Sequence, residues 1–88
     1  MKLRTSRREV TFRFPFSIPG VDGERHAGTY IVETDEELLE QLSFPVYHRV
    51  ATSIVIPQGV GSYQMVRIDP ADLEAAQRRD AERVGSVS

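Results

Sequence analysis

The sequence predicts a mainly β protein of α+β type: a small antiparallel β-roll or partly open barrel, SH3-like or OB-like, of four to five strands with one C-terminal helix. Three observations carry this. Val10, Phe12, Phe14, Phe16 and Ile18 recur at every second residue, the period of an extended chain with one apolar face. Residues 46–56 form a long run rich in β-branched side chains. Asp69-Pro70 then opens a stretch of alanine, leucine, glutamate, glutamine and arginine, the composition of a helix with a proline in its first turn.

In chain order, residues 1–8 combine Lys2, Arg4, Arg7 and Arg8 with small polar residues and only Leu3 as an apolar anchor, and read as a mobile basic arm. A first strand is expected over 9–18. Pro15 lacks an N–H, which places this strand at a sheet edge or marks a bend within it. The segment Pro19-Gly20-Val21-Asp22-Gly23 is a turn, and a second strand over 28–34 returns as the antiparallel partner of the first.

Residues 34–42 admit two readings. Thr34 with Glu37 three residues on matches a capping box, and Leu38, Leu39 and Leu42 follow at helical spacing, which predicts a short helix. The alternative is a wide acidic loop over 35–42 that tucks its leucines into the core, since Ser43-Phe44-Pro45 ends the segment at once.

The third strand, over 46–56, is expected to carry Val46, His48, Val50, Thr52, Ile54 and Ile56 on one side and Tyr47, Arg49, Ala51, Ser53 and Val55 on the other. A glycine-containing loop leads to a fourth strand over 62–68. The C-terminal helix should span about 70–83, capped by Asp69 and ended by Gly85, with a poor apolar face of Leu73, Ala76 and Val84. The whole reads as one domain over 9–84 with a disordered tail over 85–88.

A chain of 88 residues with 40% hydrophobic residues and no tryptophan can build only a thin core. The sequence has no cysteine, which excludes disulfides, thiolate metal sites and thiol nucleophiles and suits a reducing compartment, so a cytoplasmic location is expected. No apolar run is long enough to cross a bilayer, and no apolar stretch follows the N-terminal basic residues as a secretion signal would require, so no membrane partner is expected.

The net charge is -2, but its distribution is uneven. The basic residues at 1–8 stand against Asp22, Glu24, Glu33, Asp35, Glu36, Glu37 and Glu40, interrupted only by Arg25. Either the two blocks attract each other or the basic arm meets an anionic partner.

Few residues suggest chemistry. Asp22, Glu24 and His26 alternate in one loop as metal ligands could, yet an exposed turn that is simply polar is much the commoner explanation, and no metal or other cofactor is expected. Tyr47, His48, Arg49, Thr52 and Ser53 are split between two faces of one strand, so no nucleophile, base and orienting acid assemble from it and no catalysis is expected. The candidate binding residues are Arg4, Arg7, Arg8, Arg13, Tyr47 and Arg49. Two functions fit. The first is a non-catalytic interaction module that contacts another protein or itself through an edge strand or the sparsely apolar helix. The second is a single-stranded nucleic-acid binder that neutralises phosphates with the arm and stacks bases on Tyr47.

Overall fold

Extended backbone dominates the chain, as its alternating and β-branched runs predict. The computed structural model describes residues 2–39 and 46–86. Within these, β1 (Lys2–Phe12), β2 (Gly28–Leu39), β3 (Val46–Gly59) and β4 (Ser62–Ile68) precede a single helix, α1 (Pro70–Ser86). The strands follow one another as an antiparallel sheet in the order β1-β2-β3-β4, so β1 and β4 are its edges and the sheet stays open. Four antiparallel strands and a C-terminal helix agree with the mainly β class read from the sequence. No helix among the described residues is long and apolar enough to cross a membrane.

The core lies on one face and toward one end of this sheet. Val10 and Phe12 from β1, Val32 from β2, Ile54 and Ile56 from β3 and Ile68 from β4 are buried against Leu73 and Ala76 of α1 and against Phe16, Ile18 and Val21 of the β1–β2 connection. The Phe12 and Phe16 rings stack at 3.8 Å between centroids, and Tyr30 meets the Phe16 ring edge-on at 5.0 Å. The molecule measures 51 × 34 × 19 Å, the thinness of one sheet with one covering layer. Residues 2–7 of β1, 33–39 of β2 and 46–51 of β3 run on past the covered part as a three-stranded overhang.

The alternating apolar run is extended, but only its first part is in the sheet. β1 ends at Phe12, and the chain beyond it crosses the core face, burying Phe16 and Ile18 while Phe14 stays half-buried. Two interactions replace the ladder. The backbone N–H groups of Arg13 and Phe14 donate to the Asp80 carboxylate of α1 at 3.0–3.1 Å, and Phe16 forms a two-way bridge with Arg25 that folds the connection back on itself. Gly20, at φ 97°, makes this possible: a Cβ there would lie 3.3 Å from the Arg67 carbonyl oxygen.

Four local expectations are corrected. Residues 2–8 are not an arm but the first half of β1, paired with β2, whose Glu36 and Glu33 form ion pairs with Arg4 and Arg7. Neither a short helix nor a loop forms over 35–39. β2 continues to Leu39, since strands on both sides supply the ladder that a brief helix could not match, whereas 40–42 and Ser43-Phe44-Pro45 lie outside the described residues. The helix passes Arg83 and Gly85 to Ser86, and the last two residues of the expected tail lie outside the described residues. Finally, β3 carries a bulge. Ala51 opposes Asp35 but Arg49 opposes Glu36, so Val50 is an extra residue and the two halves of the strand exchange faces.

The sparse apolar face of α1 is offset by polar anchors. Besides Asp80, Arg79 donates to the Ser17 carbonyl at 3.2 Å and the Arg83 guanidinium lies 4.4 Å from the centre of the Phe14 ring. Two substitutions separate these contributions. Phe12→Ala should lower stability by about 3–5 kcal/mol through the cavity it opens under Phe16. Asp80→Ala should cost about 1–2 kcal/mol by stranding two backbone donors. Urea unfolding followed by circular dichroism measures both, and an Asp80→Ala protein as stable as the parent would show that α1 is not held by this contact.

Candidate functional site

Register decides which of the candidate binding residues meet. Residues opposite one another in antiparallel strands share a face, so Arg4 sits beside Glu36, and Glu36 beside Arg49 in β3. Leu38 opposes Tyr47 in the next row. The Val50 bulge thus turns Tyr47 and Arg49 onto the face that carries Arg4, Arg8, Val10 and Phe12. Without that extra residue they would point the other way.

The result is a cluster on the overhang. Arg4 donates through Nη2 to Glu36 Oε1 at 2.8 Å and through Nε to the same oxygen at 3.3 Å. Its guanidinium also covers the Tyr47 ring, 3.7 Å from the centroid. Arg8 stands on this face opposite Val32, and neither Arg8 nor Arg49 has an ion-pair or hydrogen-bond partner among the described residues. Four of the six candidates, Arg4, Arg8, Tyr47 and Arg49, therefore share one exposed surface.

The other two are elsewhere. Arg7 points to the opposite face and pairs with Glu33 at 2.8 Å, its own side chain largely exposed while that of Glu33 is only 13% exposed. Arg13 lies past the end of β1, where its backbone is held by Asp80. The sequence placed Glu33 and Glu36 in an acidic block that could attract the basic one, but did not mark them as site residues or pair them with Arg7 and Arg4. The charge asymmetry of the two blocks was the available signal, and antiparallel pairing between them would have found both.

The face opposite the helix is open. Ile31, Val55, Tyr63 and Met65 line a shallow groove there with Arg7 and Glu33, and Tyr63 and Met65 are 68% and 48% exposed. The outer edge of β1 is open as well: β2 lies on one side of it, and its residues 3–9 are exposed. Glu9, on this edge, has no ion-pair or hydrogen-bond partner among the described residues.

The bulge also redistributes the residues weighed for catalysis. Tyr47, Arg49 and Thr52 face the helix side, whereas His48 and Ser53 oppose Glu37 and Glu33 on the other side. The Thr52 hydroxyl is buried without a hydrogen-bond partner. In the β1–β2 connection Asp22, Glu24 and His26 are exposed, and the His26 carbonyl accepts the Tyr30 hydroxyl at 2.7 Å. Among the described residues no group of three or more histidines or carboxylates is placed to hold a metal ion.

Fold and surface together define a class: an open four-stranded antiparallel meander, one face covered by a helix, with an uncovered edge strand and a charged overhang. No known protein family, curated protein or solved structure matches the chain.

The Arg4–Glu36 pair, half exposed on the arginine side, should contribute little alone. In a double-mutant cycle with Arg4→Ala and Glu36→Ala, we expect a coupling of about 0.2–1 kcal/mol in urea unfolding, shrinking as salt is added. Zero coupling at low salt would mean that charge does not help to seat β1.

Proposed function

We propose that this chain is a non-catalytic interaction module that accepts a further β strand along the outer edge of β1, from another protein or from a second copy of itself. One observation carries the reading: an edge strand of eleven residues lies in the sheet with, among the described residues, a neighbour on one side only. Such an edge offers a row of backbone donors and acceptors, and a strand added there gains hydrogen bonds through the main chain while side-chain pairs set its register. The open groove of Ile31, Val55, Tyr63 and Met65 lies on the same sheet and gives an added partner apolar surface to cover. The separation of His48 and Ser53 from Tyr47, Arg49 and Thr52 favours a binding role over a catalytic one. Such a module would act in the cytoplasm, the reducing compartment that a chain without cysteine suits.

The clustering of Arg4, Arg8, Arg49 and Tyr47 favours a second reading, binding of single-stranded nucleic acid on the overhang. Two features weigh against it. Glu36 already neutralises Arg4, and the Arg4 guanidinium occupies one side of the ring on which a base would stack.

Two measurements decide between the readings. Peptides selected from a random displayed library on the folded protein should bind in extended form and slow amide hydrogen exchange along residues 2–12; selected peptides that leave these amides unprotected would refute strand addition. Titration with a single-stranded oligonucleotide at low and moderate salt should leave the amide resonances of Arg4, Arg8, Tyr47 and Arg49 in place. Shifts confined to those residues that fade with salt would establish the second reading instead.

A further inference from the structure

The edge of β1 has a charge pattern that is complementary to itself. We propose that it pairs antiparallel with β1 of a second copy, about a two-fold axis through Arg8, to make one continuous eight-stranded sheet. This rests on the strand-accepting reading above and names the partner.

Symmetry limits the registers. The two-fold axis must stand perpendicular to the sheet, so that both helices lie on the same side. Opposed residues then share parity and the axis passes through one residue of β1. An axis at Thr5 sets Lys2 against the partner's Arg8, and one at Ser6 sets Arg4 against the partner's Arg8, both twice over by symmetry. An axis at Arg7 or Glu9 opposes that charge to its own copy and leaves the other facing a threonine.

An axis at Arg8 is different. It sets Arg7 of each copy against Glu9 of the other, and Thr5 against Thr11. Arg7 already holds Glu33 at 2.8 Å within its own chain, so the interface row on the open face reads Glu33, Arg7 and then Glu9 of the second copy, in alternating sign. Glu9, which lacks a partner within its own chain among the described residues, acquires one.

The next row joins two hydrogen-bonded pairs. Thr11 and Thr29 share a hydroxyl contact of 2.9 Å, while Thr5 donates to Asp35 at 2.7 Å. In this register Thr5 of one copy faces Thr11 of the other, and the hydroxyls run on across the interface. The single like-charge contact between the two β1 strands is Arg8 opposite itself, exposed on the helix-side face where salt and water screen it.

That contact supplies the test. The chain has no cysteine, so Arg8→Cys introduces a single thiol on the axis. Directly opposed Cα atoms in antiparallel strands lie about 4.5–5.5 Å apart, within the about 4.4–6.8 Å that a disulfide spans. Arg4→Cys is the control, its two copies being roughly 27 Å apart in this register.

Under mild oxidation we expect Arg8→Cys to form a covalent dimer and Arg4→Cys to remain a single chain. In light scattering, Glu9→Arg should raise the dimer dissociation constant on the order of tenfold or more. Its unfolding midpoint, measured at concentrations where the parent is monomeric, should not change. Cross-linking through Cys at position 4 as fast as at position 8, or a Glu9→Arg protein that dimerises as the parent does, would overturn the register and the proposal. A parent that stays monomeric at millimolar concentration while selected peptides still protect β1 would refute self-pairing but leave strand acceptance standing. Loss of both would refute both.

Discussion

The register between β1 and β2 is the constraint on which the rest of the molecule depends. It joins a basic segment to an acidic one, with Arg4 against Glu36, Thr5 against Asp35 and Arg7 against Glu33. Each exposed pair is worth little, and side-chain entropy offsets much of it. Their joint effect is on register: a slip of β1 by one residue against β2 would turn Val10 and Phe12 out of the core and Arg7 onto the face that carries Val32. Hydrophobic burial at one end of the hairpin and charge pairing at the other therefore select the same alignment.

The covered end shows how a chain of this size closes a core without a second sheet. A sheet of four strands has a larger face than one helix that buries only Leu73 and Ala76 can cover. The β1–β2 connection supplies the remainder, laying Phe16, Ile18 and Val21 across the sheet and stacking Phe16 on Phe12. Asp80 joins the two covering pieces by accepting the first backbone N–H groups past the strand. This is a polar solution to the stranded donors that arise wherever a ladder ends.

The uncovered end is arranged by one extra residue. Val50 shifts the period of β3, so Thr52, Ile54 and Ile56 enter the core while Tyr47 and Arg49 reach the same side of the sheet as Arg4. A bulge commonly re-aims side chains in this way near functional surfaces. Here it gathers an arginine, a carboxylate and a tyrosine into one contact network. The surfaces proposed for binding are thus an edge and an overhang rather than an enclosed cavity.

Much of this was legible in the amino-acid order. The apolar period of two at residues 10–18 marked Val10, Phe12, Phe14, Phe16 and Ile18 as one buried face, which holds for all but the half-buried Phe14, the β-branched run marked β3, and Asp69-Pro70 marked the start of α1, where the Ala71 N–H donates to Asp69 at 2.8 Å. These signals are local, set by backbone sterics and by which side of one element can avoid water. Three features could be settled only by contacts between distant residues. The capping-box pattern at Thr34 yielded to strands on both sides of β2, the apparent basic arm became a strand once an acidic neighbour lay beside it, and the faces of Tyr47 and Arg49 depended on a bulge defined against β2. Sequence fixes what each segment prefers alone, whereas pairing energy between strands exists only after the chain has brought them together, and here it exceeded the local preference.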